Sequence, residues 1–292
     1  MTDKSKKKPK GFYKQAKINT AEDGTMDLVL PSFSEEDVEK LPPVSVVTIT
    51  KDRGQFAALM LYNWVNIKYP REKLEWLILD DTEKGAEYDL RDYIPYDDPT
   101  IRYVKLDKWM PIADKRNKAV EMAKYDVIVH MDDDDYYFPD NVLVKVRLME
   151  HYNVDGVHSL PIGVYDLMEG TSFVLDTVMK SGFDSVAIAE ASIAYKKSYW
   201  ERNKFKGESS MGAAEGASLV NGHFQRWVQV HFLFNMISIT HSKNVTGQGR
   251  RLVQEGMTFR KVGNFEDVFP EDFKTILQNI KKILKPDYKK PV

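Results

Sequence analysis

Three apolar segments of this chain each run straight into charge. Val44-Ser45-Val46-Val47-Thr48-Ile49-Thr50 meets Lys51-Asp52-Arg53, and Leu74-Glu75-Trp76-Leu77-Ile78-Leu79 meets Asp80-Asp81. Asp126-Val127-Ile128-Val129-His130-Met131 meets four consecutive aspartates, Asp132 to Asp135. β-branched and apolar runs of this length read as strands buried on both faces. If those strands are parallel, all three charged clusters share one edge of a sheet. Ligands of open parallel sheets bind in the crevice beyond that carboxyl edge.

The intervening segments predict helices. One lies near 55–66; a second follows Pro111, which suits a first turn, with Ile112, Ala119, Val120 and Ala123 at helical spacing. A third starts near Pro139 with Val142, Leu143, Val146 and Met149 on one face, and a further short strand is expected at Ile101–Lys105. The alternation implies an α/β fold, a mainly parallel central sheet flanked by helices in a single domain. Beyond 155 the pattern loosens: strands are expected at 156–165, 172–175, 186–195 and 228–240, and helices near 197–204 and 213–221. Phe273, Ile276, Leu277, Ile280, Ile283 and Leu284 form an amphipathic stripe expected to dock on the chain's own body. Leu41-Pro42-Pro43 is a natural boundary. It divides a basic, partly disordered lead-in (1–40) from the strand–helix half (41–150), a looser second half (151–250) and a helical extension (251–292).

Composition narrows the function classes. The chain of 292 residues carries 42 Lys plus Arg against 44 Asp plus Glu, without the basic excess of a general nucleic-acid binder. The balance hides an asymmetry, since residues 1–17 hold seven Lys and one Asp. The absence of cysteine excludes disulfides, thiolate metal sites and a Cys nucleophile. No apolar run reaches the ~20 residues of a membrane helix, and no apolar segment follows the basic start. A cytoplasmic chain without a transmembrane anchor is the expectation.

Four adjacent aspartates pinned between an apolar strand and Tyr136-Tyr137-Phe138-Pro139 are costly without a cation, because like charges at close range repel. Hard ions such as Mn²⁺ or Mg²⁺ take oxygen ligands, often one or two carboxylates plus substrate phosphates. The ordered set Val46-Val47-Thr48-Ile49-Thr50, Leu77-Ile78-Leu79-Asp80-Asp81, Lys115-Arg116-Asn117 and Asp132-x-Asp134-Asp135 with Pro139 resembles the nucleotide-binding half of a GT-A glycosyltransferase. The match is to the large inverting family 2 and covers about residues 44–150.

That resemblance implies roles. Thr50, Asp52 and Arg53 match the loop around nucleotide base and ribose; Asp80 and Asp81 match the acidic pair that bonds a pyrimidine. Arg116 and Asn117 match the pair near donor sugar and diphosphate, and Lys115 and Lys118 flank them. Counting back from Pro139 makes Asp134 the metal ligand, with Asp132 on the ribose or donor sugar. The family supplies its base as an acid at a helix start. Glu215, in Gly212-Ala213-Ala214-Glu215-Gly216-Ala217, is the expected base, although the family more often has Glu-Asp there; Glu190 is the competitor. His241 resembles a late His near the metal, and Lys243, Arg250 and Arg251 are candidate phosphate contacts. Asn244-Val245-Thr246 is formally a glycosylation sequon.

The implied activity is metal-dependent transfer from a nucleotide-diphosphate sugar, a UDP-sugar favoured, to a glycan or other hydroxyl acceptor, with Tyr195, Tyr199, Trp200 and Trp227 available to stack on sugar rings. A nucleotidyltransferase acting on sugar phosphates is the alternative enzyme, but Lys51-Asp52-Arg53-Gly54 has only one glycine where a phosphate loop would need several. A non-catalytic, metal-dependent glycan-binding module is the alternative outside catalysis. The spacing of Gln225-Arg226-Trp227 does not match the Gln-x-x-Arg-Trp of processive synthases.

Overall fold

The structure is a computed structural model that describes residues 14–95, 97–175, 188–207, 215–220, 223–244 and 260–287. Its strands begin with β1 (Lys14–Gln15), β2 (Ile18–Thr20), β3 (Met26–Leu28), β4 (Val44–Thr50) and β5 (Leu74–Asp80). They continue with β6 (Ile101–Lys105), β7 (Val127–His130), β8 (Tyr136–Tyr137), β9 (Gly156–Ser159) and β10 (Ile162–Asp166). The last five are β11 (Thr171–Leu175), β12 (Ala194–Lys196), β13 (Trp227–Val230), β14 (Met236–Thr240) and β15 (Arg260–Gly263). The helices are α1 (Glu35–Lys40), α2 (Ala57–Val65), α3 (Ile112–Met122), α4 (Asn141–His151), α5 (Lys197–Arg202), α6 (Glu215–Val220) and a C-terminal helix, Glu271–Leu284.

Eight strands form the central sheet in the order β1-β13-β9-β12-β7-β4-β5-β6. All neighbours are parallel except β12, which runs antiparallel to β7 and β9. Both faces are covered. Val44, Val46, Trp76 and Ile78 pack with α2 and α4, while Val47, Leu77, Leu79 and Ile128 pack with α3, α5 and α6. That two-sided burial is why these strands read as continuous apolar runs rather than alternating ones. One acid interrupts the run in β5: Glu75 is buried, and it accepts hydrogen bonds from Ser45 Oγ (2.6 Å), the Lys124 amide (2.7 Å) and Arg102 (3.0 Å). A buried carboxylate with every oxygen occupied is tolerated in a core strand.

A second, five-stranded sheet, β15-β11-β10-β14-β8, was not anticipated. The run expected as one strand at 156–165 is cut at Leu160-Pro161, a cis peptide, and its halves β9 and β10 belong to different sheets. The run at 228–240 is likewise split into β13 and β14 by a turn at Phe232–Phe234. Residues 14–40, which lack sustained periodicity, contain the β2–β3 hairpin, α1 and the edge strand β1. The C-terminal helix docks as its stripe implies. Phe273, Leu277, Ile280 and Leu284 bury against Phe56, Tyr136, Ile237 and Ile239.

The two sheets meet at the acid run. β7 of the large sheet leads into Asp132–Asp135, and β8 of the small sheet follows at once. Thr48 Oγ1 accepts from Trp76 Nε1 (2.9 Å) and donates to the Met131 carbonyl (2.6 Å), which fixes the exit of β7 against β4. Asn63 clamps the other side, donating to the Asp135 carbonyl (2.8 Å) and accepting from the Tyr137 amide (3.1 Å).

Close approach elsewhere depends on Gly156. It pairs with Trp227 across β9 and β13, and a Cβ at 156 would lie 2.6 Å from the fully buried indole. Gly156→Ala is therefore expected to cost about 1–3 kcal/mol through overpacking. Urea unfolding followed by tryptophan fluorescence measures that loss, and an unchanged midpoint would mean that the ring relaxes freely.

Candidate active site

The register between strands brings the three charged clusters together. Thr50 pairs with Asp80, and Val47 with His130, so β4, β5 and β7 all deliver their carboxyl ends to one edge. There an open cavity of about 230 Å³ is lined by Thr50, Arg53, Lys115, Arg116, all four aspartates, Glu190, Glu215 and Asn244.

The four aspartates differ in surroundings. Asp132 meets both terminal nitrogens of Arg116 at 3.3 Å, and its amide donates to the Tyr137 hydroxyl (2.8 Å). Asp133 is buried 3.8 Å from Arg53; burial first, then the charge of Asp134, raises its carboxyl to about 7. Asp134 Oδ2 accepts from His241 Nε2 (3.0 Å) and Asn244 Nδ2 (2.9 Å), with Arg53 at 3.9 Å. Asp135 Oδ1 accepts from the Ile239 amide (2.8 Å), tying the run to β14.

An all-oxygen set of crowded carboxylates, one of them short of positive charge, fits a hard divalent ion. Among the described residues no group of three His, Asp or Glu side chains is disposed to hold an ion alone. The fit is therefore to an ion whose remaining ligands come from water and substrate phosphate. His241 joins this centre differently from the expectation that it ligates. Its Nδ1 accepts from the Lys243 amide (3.1 Å), so the ring proton lies on Nε2 and is donated to Asp134. In this arrangement His241 orients Asp134 rather than offering a lone pair to a metal.

Lys115, which flanks the Arg116-Asn117 pair, is buried and lines the cavity: its ammonium donates to the Thr50 carbonyl (3.2 Å) and to Asp81. The second oxygen of Asp81 accepts from the Met110 amide (2.8 Å). Asp80 is fully buried and accepts from the Thr82 amide (2.7 Å), the Tyr103 hydroxyl (2.6 Å) and Lys105 (3.2 Å). The acidic pair thus builds the loop after β5, and neither member lines the cavity. Asp52 is exposed with φ 55°, a left-handed conformation that Asp tolerates, and its amide donates to Thr82 Oγ1 (2.6 Å). It shapes the turn that aims Arg53, whose guanidinium also donates to the Lys243 carbonyl (2.7 Å).

Asn117 points away from the cavity. Its amide donates to the Phe205 carbonyl (2.8 Å) and accepts from Trp200 Nε1 (2.8 Å) and the Phe205 amide (3.0 Å), so it ties α3 to the segment after α5. Tyr195, Tyr199, Trp200 and Trp227 are all buried in the core, so none of them is exposed to stack on a sugar ring. Arg250 and Arg251 lie outside the described residues. Asn244, noticed only as part of a sequon, lines the cavity and spends its amide on Asp134.

Glu190 and Glu215 face the acids across the cavity. Arg116 Nε is 3.9 Å from Glu215, and Glu190 accepts from the Gly216 amide (2.8 Å). The glycine leaves room for that carboxylate: a Cβ at 216 would sit 2.7 Å from it, so Glu190 would have to move. The Glu-Gly pair at the start of α6 is thus explained by a carboxylate arriving from another segment.

Residues 45–183 match the sequence model of glycosyl transferase family 2. No curated protein sequence matches the chain. The structure of S. aureus TarS 1–349 in complex with UDP-GlcNAc is similar with a TM-score of 0.52 at 13% identity, over 82% of this chain and 65% of that one. The mannosyltransferase PcManGT from Pyrobaculum calidifontis, in complex with GDP-Man and Mn²⁺, is similar with a TM-score of 0.50 at 16% identity, over 83% of this chain and 70% of that one. The chain spans 60% of the length of TarS 1–349 in another of its structures. These likenesses show a shared GT-A fold.

Glu190 generates a stability prediction. Burial first, then the charge of Glu215, raises its carboxyl to about 7, above the ~4.3 of an unfolded chain. A raised carboxyl favours the fold below its unfolded value, and that contribution fades as pH rises through about 7. Glu190→Gln should match the wild type near pH 4, just below the unfolded value, and exceed it by roughly 1–3 kcal/mol near pH 8, allowing for partial screening. Urea midpoints at the two pH values test this, and a gain independent of pH would contradict it.

Proposed function

We propose, from the premise that this chain is a family 2-like glycosyltransferase of GT-A fold, that it moves a sugar from a nucleotide-diphosphate sugar, preferentially a UDP-sugar, to an acceptor hydroxyl with inversion. The observation that carries this reading is the convergence of Asp132, Asp134, Arg116 and the Glu190–Glu215 pair on one cavity at the carboxyl edge of a parallel sheet. The structures similar in fold were solved with UDP-GlcNAc and with GDP-Man and Mn²⁺, which is the class of donor and of ion proposed.

Thr50 and Arg53 flank the nucleoside, with Asp52, Asp80 and Asp81 holding the loops that aim them. Asp132 receives the ribose or donor sugar. Asp134, oriented by His241 and Asn244, would hold a Mn²⁺ or Mg²⁺ ion, which supplies positive charge for the departing diphosphate. Arg116 faces the same charge and stabilises it as it develops; Asn117 holds the helix that carries Arg116. Glu215 takes the acceptor proton as that oxygen bonds to the anomeric carbon. The bond from that carbon to the diphosphate breaks on the opposite face, and the nucleoside diphosphate leaves with the electron pair. Glu190, beside it, shares the local negative charge, and the charge of Glu215 adds to burial in raising the Glu190 carboxyl.

Three outcomes test the reading. A panel of nucleotide sugars incubated with Mn²⁺ should release nucleoside diphosphate slowly without acceptor; release of pyrophosphate would indicate nucleotidyl transfer instead. Glu215→Gln should lower transfer about 10²–10⁴-fold while leaving UDP binding within a few fold. Asp134→Asn should lose the part of UDP affinity that depends on Mn²⁺. Unchanged turnover in either variant would remove that residue from the mechanism.

A further inference from the structure

Arg116 is held from beneath by a residue that the proposed mechanism does not use. His130, the last residue of β7, is fully buried under the cavity. Its Nδ1 lies 2.9 Å from Arg116 Nη1, and its Nε2 lies 2.8 Å from the Tyr195 hydroxyl. A guanidinium can only donate, so Nδ1 must be the acceptor. The single ring proton of a neutral imidazole then sits on Nε2 and is given to the Tyr195 oxygen. Burial, reinforced by the charges of Arg116 and Lys145, pushes the imidazole well below its usual value, which keeps Nδ1 available.

The distances around Arg116 are unequal. The contact to His130 is 2.9 Å, the two to Asp132 are 3.3 Å, and Glu215 lies 3.9 Å from Nε. Nε is buried without a hydrogen-bond partner among the described residues. The guanidinium is therefore anchored on the sheet side by a neutral ring, and only loosely engaged by the carboxylates on the cavity side. Ordinary charge-assisted pairs are shorter, about 2.7–2.9 Å.

We infer that His130, itself fixed by Tyr195, is the positioning residue for Arg116: a neutral anchor that leaves the guanidinium's contacts to Asp132 and Glu215 exchangeable for the oxygens of a diphosphate. A carboxylate in place of the imidazole would compete for the charge. An imidazolium would repel it. A neutral acceptor does neither, and the arginine keeps its full charge for the cavity. The inference rests on the proposed diphosphate-binding function of the cavity.

Three variants and one spectrum test it. In the wild type, long-range ¹H–¹⁵N correlation should find His130 protonated on Nε2 alone between about pH 5 and about pH 8, with the signal assigned by its loss in His130→Gln. An imidazolium or the opposite tautomer would overturn the anchor directly, whether or not any nucleotide binds. UDP binding with Mn²⁺ should weaken about tenfold or more in His130→Leu, which has no acceptor. It should recover to within about threefold in His130→Gln, whose amide oxygen can accept and whose NH₂ can donate to Tyr195. Tyr195→Phe should fall between them. Equal loss in the Leu and Gln variants, or none in either, would contradict the inference. If the wild type binds neither UDP nor inorganic pyrophosphate while the spectrum is as expected, the diphosphate reading fails and the anchor stands.

Discussion

Six carboxylates line one cavity in this protein: Asp132 to Asp135 from the link between the two sheets, Glu190 from a turn, and Glu215 from the start of α6. Crowding of that kind in a partly dry site raises the cost of every negative charge. The raised carboxyls of Asp133 and Glu190 are where that cost becomes visible. Arg53, from the turn after β4, and Lys115 and Arg116, both from α3, compensate part of it. A cation, and a phosphate-bearing ligand that brings it, would relieve the remainder, which is the physical ground for the proposed donor.

Such a cluster survives only if the surrounding fold leaves it no alternative. The acid run is pinned at its entry by Thr48 and at its exit by Asn63, while Asp135 is tied to β14. The Tyr137 hydroxyl accepts from the Asp132 amide and donates to the Ala191 carbonyl, which couples the aspartates to the turn that carries Glu190. The small sheet is therefore part of the site: without β8 and β14 the aspartates would have no second anchor, and the C-terminal helix packs behind them.

Much of the first half was legible because its strands are long, apolar and buried on both faces, so that each announces its end by a charge. The acid run could be assigned to an edge before any coordinates. The second half resisted for a physical reason: its strands are three to five residues long and belong to two sheets, so that one apolar run can change sheet at Leu160-Pro161. Side-chain direction was harder still. Lys115 and Asn117 are two positions apart on α3, yet the lysine lines the cavity and the asparagine braces Phe205 and Trp200. Helical spacing does not say which stripe faces the ligand. For His241, only the Lys243 amide on Nδ1 reveals that the ring donates to Asp134. The Glu-Gly pair at 215–216, a departure from the family pattern, becomes intelligible once Glu190 is seen in the space that a side chain would fill.

The central claim is that this carboxylate cavity is completed by a divalent cation and a nucleoside diphosphate together. Thermal unfolding with Mn²⁺ alone, UDP alone and both together tests it most directly, because a ligand that binds only the folded state raises the melting temperature by mass action. The account predicts small shifts for each alone and a rise for the pair well above their sum. Shifts that merely add, or no shift with the pair at concentrations near about 1 mM, the weak end of specific binding, would contradict it.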